Sequence, residues 1–408
     1  MTRHYDLGDA AGPGIPAEHF DTVIVGGGQA GLSVGYHLAR LGRSFVILDE
    51  HQSTGDGWRE RYDSLRLYSP AKYDGLPGMP FPAPPYSFPS GRQMADYLQA
   101  YTAQMGLPLA AGVKVDGLRP GGGAAGSYVL TAGERRFAAA QVVVATGAQQ
   151  VPSAPSFACQ LDPGIRQLHS SDYRNPAQLL PGGVLVVGAS HSGADIALEA
   201  AQEHKTWLSG PVHGQIPFDI EGRPARQIMR LLWFAANHIL TVKTPLGRKM
   251  RPLVRGHGGP LLRVKLPHLS AVGVEYVSAR TTGVRDGLPR LADGRALDVT
   301  NVIWCTGFRP DFSWIHLPVI GDDGWPRQER GVASGTPGLY FAGVLFQYAF
   351  SSMLVGGAGR DARYVARHIV KHRPDTAHTS RQQAHRAGTS TPSLTKASRD
   401  RRFRPGCR

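Results

Sequence analysis

The sequence predicts an α/β fold of two parallel-sheet units, one inserted into the other, and three observations carry this. Two glycine-rich turns, Gly26-Gly27-Gly28-Gln29-Ala30-Gly31 and Gly188-Ala189-Ser190-His191-Ser192-Gly193, each stand between a β-branched strand and a helical stretch. Two near-twin segments, Gln141-Val142-Val143-Val144-Ala145-Thr146-Gly147 and Asn301-Val302-Ile303-Trp304-Cys305-Thr306-Gly307-Phe308, read as buried strands closing on Thr-Gly. Each twin returns to a sheet and places glycine where the chain crosses to the other unit, so the second unit interrupts the first. Both units therefore read as Rossmann-like dinucleotide-binding domains.

The outer unit begins near Phe20 with the strand Val23-Ile24-Val25. Gly26 permits a tight turn, Gly28 lets the backbone approach a pyrophosphate, and Gly31 allows helix to pack on strand, with Gln29 and Ala30 between them. A helix then runs from Gly31 to Leu41 with Leu32, Tyr36 and Ala39 on one side, until Gly42 stops it. After a second strand, Ser44 to Leu48, comes Asp49, 21 residues beyond Gly28. That matches the roughly 20-residue distance at which a carboxylate reaches a ribose hydroxyl. Gly57-Trp58, Leu65 to Pro70 and a proline-dense loop from Pro77 to Pro89 follow. Such a loop is excluded from sheet interior and is expected to wrap the surface near a ligand.

The second turn follows Val184 to Val187 and leads into Asp195-Ile196-Ala197-Leu198, with Ser190 where the middle glycine of the pattern stands. After the next strand, at Thr206-Trp207-Leu208, the run Ser209 to Phe218 carries no Asp or Glu to grip a free 2′-hydroxyl. This favours NADPH over NADH, with Lys205, His213 and Arg223 as the available partners for a 2′-phosphate. Two dinucleotide sites in one chain point to a flavoenzyme fed by a nicotinamide. Farther on, Arg223 to Arg263 reads as apolar helix with basic flanks, open to four uses: a substrate tunnel, an acidic substrate, a membrane surface, or a dimer or core face. Near the end, Gly338 to Gly343 is another strand, and Gly356 to Gly359 precede a helix from Arg360 to His368. A glycine-led helix start offers positive dipole to an anion, which in such an enzyme is the reduced isoalloxazine ring.

Composition narrows the class. A chain of 408 residues with 41% hydrophobic content is long for one core. Residues 1–19 have no apolar signal core and read as a flexible N-terminus; with no uncharged apolar run near the ~20 residues of a span, the expected location is cytoplasmic. Only Cys159, Cys305 and Cys407 are present, with no C-x-x-C pair, which excludes dithiol reductase chemistry, and no zinc-type spacing appears, so no metal is expected. Of the net +14, residues 371–408 hold ten Lys or Arg against two Asp. The segment 372–408 reads as a disordered basic tail, more simply than as a tether to RNA or anionic lipid.

These segments together resemble the class B flavin-containing monooxygenases, nearest the bacterial and YUCCA-like (indole-3-pyruvate monooxygenase) branch, over residues 20–370. The resemblance rests on Gly26 to Gly31, Gly57-Trp58, the Asp63 to Pro82 loop, His169-Ser170-Ser171-Asp172-Tyr173, Gly188 to Gly193 and Cys305-Thr306-Gly307-Phe308. It implies an FAD domain at 20–152 and 302–371 and an inserted NADPH domain at 153–301. The cofactor-binding residues would be Gly26, Gly28, Gln29, Ala30, Gly31, Asp49, Gly57, Trp58, Thr146, Gly147, Gly188, Ser190, His191, Ser192, Gly193, Thr306, Gly307 and Gly343. It further implies oxygen insertion through a flavin C4a-hydroperoxide into nitrogen, sulfur or a keto carbon of a small, mostly apolar substrate. The sequence departs from the family at Tyr68-Ser69, where the drug-oxidising branch places a flavin-facing asparagine, and at Cys159, where the linker pattern has glycine. Tyr68, Ser69, His169 and Tyr173 are thus the candidates near flavin or crevice, the last two with either a gating, a nicotinamide or a packing role. Alternatives are an NADPH oxidase or flavin reductase without oxygen insertion, and a nucleotide-sensing scaffold with a basic tail. A homodimer is compatible with all three.

Overall fold

The computed structural model describes residues 16–122, 127–256 and 258–372. The tail beyond His372, residues 1–15 of the N-terminal segment and His257 lie outside the described residues.

Four-residue strands buried at every position form the framework, as expected for parallel sheets covered on both faces. The chain runs through β1 (Glu18–Val25), α1 (Gln29–Arg40), β2 (Phe45–Leu48), α2 (Gly91–Gln104), β3 (Leu109–Ala110) and β4 (Arg135–Val144). It then crosses into β5 (Arg166–His169), β6 (Val184–Val187), α3 (His191–Ala200), β7 (Thr206–Ser209), α4 (Ala225–Phe234), α5 (Pro245–Gly256), β8 (Glu275–Val277) and β9 (Asn301–Trp304). It returns for β10 (Leu339–Phe341) and α6 (Val355–Lys371).

The parallel part of the first sheet has the order β3-β2-β1-β4-β10, and the second is β8-β7-β6-β9-β5. In the first, Val23 pairs with Val46 and Val142; in the second, Leu185 pairs with Trp207 and Val302. Both orders reverse beside the strand that carries a glycine turn, and in open α/β sheets the ligand crevice lies at that reversal. The predicted α/β fold of two such units, the second interrupting the first, is the observed one. An antiparallel hairpin, Gly117–Pro120 with Tyr128–Ala132, pairs with the first half of β4.

Packing follows from the apolar periodicities. Leu32, Val34 and Leu38 of α1 meet Ala362, Val365, Ala366 and Ile369 of α6 in one buried cluster, while Phe137, Val142, Leu339 and Phe341 fill the other face of the first sheet. In the second sheet Val186, Leu208 and Ile303 pack with Ile196 of α3, and Leu185, Trp207, Val302 and Trp304 face away from it. The proline-dense loop is pinned by α2: the Tyr97 hydroxyl accepts from Leu76 N at 2.6 Å and donates to the Met79 carbonyl at 2.7 Å, and Tyr101 donates to the Pro77 carbonyl at 2.7 Å.

Three expectations shift. The boundary at 302 cuts β9, whose whole length pairs with β5 and β6, so the crossing back falls after Trp304. α6 begins at Val355, ahead of the glycines, because Val355 itself is buried in the core. The apolar basic stretch is two helices joined by a π-helical turn at Ala235–Ile239, and Pro252 lies inside the second. The crossing segments pair with each other, Phe308 opposite Pro152 and Arg309 opposite Val151.

Candidate active site

At the first turn Gly26 has φ +109°, and a Cβ there would stand 2.5 Å from the Ala145 carbonyl oxygen. A Cβ on Gly31 would stand 1.9 Å from the Gly26 carbonyl oxygen. Gly28 meets nothing within 4 Å, so the space above it is open. α1 starts there with no side-chain cap, leaving its first N–H groups directed at that space. Asp49, at the end of β2, accepts from Gly27 N at 2.5 Å with one oxygen and from His51 N at 2.9 Å with the other. Burial opposes the charge on His51, but the hydrogen bond and charge of Asp49, with Glu60 beyond, outweigh it and raise its pKa. Gly57 lies over the His51 ring, Trp58 packs against the core, and Gly343 crosses beside Ala30 with φ +77°.

The second turn repeats these contacts. A Cβ on Gly188 (φ +110°) would stand 2.3 Å from the Cys305 carbonyl oxygen, and one on Gly193 would stand 1.8 Å from that of Gly188. Ser190 occupies the N-cap of α3, yet its hydroxyl donates to the Gly259 carbonyl at 2.9 Å instead of capping the helix. This second helix start is therefore also uncapped. His191 bonds the Pro260 carbonyl at 2.7 Å through Nε2, burial lowers its pKa, and its ring lies 4.5 Å from that of Tyr68. Ser192 is a hydrogen-bond neighbour of Tyr62.

Thr146 and Gly147 follow β4, where Gln150 Nε2 donates to the Thr146 hydroxyl at 2.6 Å and the Gly147 carbonyl at 2.9 Å. Thr306 donates to the Ser153 carbonyl, and the Gly307 carbonyl accepts from Ser153 N at 3.0 Å. The two Thr-Gly corners thus hold the two crossings together.

The four candidates part company. Tyr68 donates to Asp195 at 2.7 Å, and Asp195, only 5% exposed, also accepts from Tyr62 at 3.1 Å and Arg263 at 3.0 Å. Burial, with the charge of Asp195, pushes both phenols up and keeps them protonated as donors. His169 contacts the Gly307 carbonyl at 3.0 Å and lies edge-on to Phe308 at 4.9 Å, and burial lowers its pKa. Tyr173 is fully buried, its hydroxyl 3.2 Å from Glu199.

Ser69 donates to Asp74 at 2.5 Å. Asp74 is wholly buried, its other oxygen has no hydrogen-bond partner among the described residues, and burial, opposed by the Ser69 bond, raises its pKa from 3.8 to about 7. A carboxyl raised on folding favours the native state while protonated. Its contribution is full below about pH 4 and is lost as pH rises through about 7. Relative to Asp74→Asn, the protein is expected to lose stability across that window, by a few kcal/mol at most. Denaturant unfolding of both at pH 4 and 7.5 checks this; a constant difference contradicts it.

Asp195, Arg263, Tyr62 and Asp74 were not singled out from sequence. The one available signal was a charged residue inside Ala194-Asp195-Ile196-Ala197, which must find buried partners. One reading is corrected. Lys205 precedes β7 and lies over Trp207 at 4.7 Å, at the opposite strand end from the turn, so it drops out as a 2′-phosphate partner. The start of α6 likewise has no side-chain cap and is tightly packed: a Cβ on Gly356 would stand 1.9 Å from the Tyr73 carbonyl oxygen and one on Gly357 1.8 Å from that of Ser351.

The family of pyridine nucleotide-disulphide oxidoreductases matches residues 23–207. An uncharacterized CzcO-like oxidoreductase of Geobacillus kaustophilus is 36% identical over 86% of this chain and 99% of its own. The indole-3-pyruvate monooxygenase YUCCA1 of rice (Oryza sativa subsp. japonica) is 29% identical over 85% of this chain and 90% of its own. A flavin-containing monooxygenase structure from Stenotrophomonas maltophilia superposes with a TM-score of 0.69 at 27% identity, over 87% of this chain and 99% of that one. With two glycine-cradled, uncapped helix starts at the reversal points of two parallel sheets, the chain belongs to the class B flavin-containing monooxygenase family, beside the CzcO-type oxidoreductases.

Proposed function

We propose that this protein is an NADPH- and FAD-dependent monooxygenase that places one oxygen atom from O2 on nitrogen, sulfur or a keto carbon of a small organic substrate. The observation that carries the reading is the pair of uncapped helix starts, each cradled by glycines whose Cβ atoms would strike backbone. Gly26, Gly28 and Gly31 would hold the FAD pyrophosphate on α1, with Asp49 on its ribose. Gly188, Gly193 and the N–H groups of Ser190, His191 and Ser192 would hold NADPH on α3. When bound, the flavin supplies hydride acceptance and oxygen activation.

The chain's own part is placement. The α1 and α3 N–H groups fix two pyrophosphates, and the paired crossings at Val151–Pro152 and Phe308–Arg309 set how the two units meet. Asp49 already bonds Gly27 N, so its carboxylate is oriented before any ribose arrives. No carboxylate follows β7 within Ser209 to Phe218, which supports NADPH over NADH, with His213 and Arg223 left as partners for the 2′-phosphate. NADPH is expected to reduce the flavin at least ~10-fold more efficiently than NADH, a preference worth ~1.4 kcal/mol. Equal rates in anaerobic reduction would remove this argument.

The FAD part is proposed to comprise residues 20–152 with the chain after Trp304, and the NADPH part the stretch between. A second reading, oxygen reduction without insertion, draws on one observation: the Tyr68 and Ser69 hydroxyls are both taken, by Asp195 and Asp74. Turnover with NADPH, isotopically labelled O2 and a panel of small sulfides, amines and ketones separates the two. Labelled oxygen in an organic product supports insertion, and stoichiometric peroxide with every substrate supports the second reading.

A further inference from the structure

The segment α4 to α5 has one side accounted for and one side bare. Trp233 stacks on Tyr73 at 4.6 Å, Asn237 accepts from Ser351 and Arg360 at 2.9 Å each, and Val242 N donates to the Tyr348 carbonyl. On the other side Leu231, Leu232, Phe234, Ile239, Leu246 and Leu253 are between 44% and 71% exposed. These are six of the ten exposed large hydrophobics among the described residues, gathered in one short stretch, so a core role does not explain them. Leu231 and Phe234 are three apart on α4, and Leu246 and Leu253 seven apart on α5, so each helix carries a stripe.

The same stretch is extreme in charge. Between Glu221 and Glu275 there is no Asp or Glu and there are ten Lys or Arg. Arg255 pairs with Asp323 and Arg263 with Asp195, but the cations from Arg223 to Arg251 make no ion pair among the described residues. A partner must therefore offer anions and hydrocarbon together. A second copy packed by a two-fold axis would set one acid-free segment against another. A nucleic acid would reward the cations and leave the leucines in water. A lipid surface with anionic headgroups rewards both.

We propose that α4 and α5 dock this protein on the surface of an anionic lipid bilayer, with Leu231, Phe234, Leu246 and Leu253 entering the interface and the flanking Arg and Lys on the headgroups. The contact is with the surface: no helix among the described residues is long and apolar enough to cross a membrane.

The test is flotation of the full-length, FAD-loaded protein with vesicles of equal parts phosphatidylglycerol and phosphatidylcholine, against phosphatidylcholine alone. Binding to the anionic vesicles is expected to be ~10-fold tighter or more, and to weaken with salt. The triple variant Leu231→Gln, Phe234→Gln, Leu253→Gln and the double variant Arg248→Glu, Lys249→Glu are each expected to lower it by ~10-fold. Both should keep bound FAD and NADPH oxidation, which shows that they fold. The basic segment beyond His372 is intact in every variant, so binding that neither variant weakens belongs there and overturns the proposal. Absent binding, or a dimer in light scattering that the triple variant turns into a monomer, overturns it as well. Flotation does not depend on turnover, so its outcome is independent of the reaction assigned above.

Discussion

Gly193→Ala is expected to abolish tight NADPH binding while leaving FAD in place, and Gly31→Ala to empty the flavin site. In each case the added methyl has no room, since it would stand 1.8 Å from the Gly188 carbonyl oxygen in the second turn and 1.9 Å from the Gly26 carbonyl oxygen in the first. Both obstacles are backbone, so relief requires the helix to move off its strand, and that displaces the N–H groups meant for a pyrophosphate. Overpacking of this kind costs ~1–3 kcal/mol, which corresponds to roughly 5-fold to 150-fold in affinity. The flavin-to-protein ratio after purification and the dissociation constant for NADP⁺ read the two sites separately. If Gly193→Ala loses flavin and keeps its affinity for NADP⁺, the assignment of the turns is reversed.

Asp195→Ala is expected to be among the most destabilising single changes in the chain. Three donors converge on one carboxylate oxygen: Tyr62 and Tyr68 from the segment before the proline loop, and Arg263 from the far end of the acid-free stretch. Removing the acceptor strands a partly buried guanidinium and two phenols, a loss of ~3–5 kcal/mol for a broken buried pair. Asp195→Asn keeps an acceptor and loses the charge, so a smaller cost, ~1–3 kcal/mol, is expected. The denaturant midpoint should fall in that order with little change in slope. An unchanged midpoint for Asp195→Ala would show that the three contacts carry no stability.

Much of the fold was legible because steric necessity is local. Gly26, Gly31, Gly188 and Gly193 each lie against backbone a few residues away or on the neighbouring strand, and β-branched runs on either side leave one fold that accommodates them. Asp49 was legible by its distance from Gly28, and it does meet the turn, at Gly27. The Asp195 cluster was not, because its donors come from positions 62, 68 and 263, and no local pattern states which distant hydroxyl meets which carboxylate. In Arg223 to Arg263 the composition was plain, but only exposure separates an apolar face in the core from one in water.

The most direct test of the central claim is to reduce the FAD-loaded protein with NADPH without air, mix it rapidly with oxygenated buffer, and follow the flavin spectrum. A transient near-ultraviolet band that precedes return of the oxidised flavin spectrum, and that a sulfide, amine or ketone substrate shortens, is the predicted result. Direct return to oxidised flavin with stoichiometric peroxide, with and without every substrate in the panel, would contradict oxygen insertion and leave the protein an NADPH oxidase.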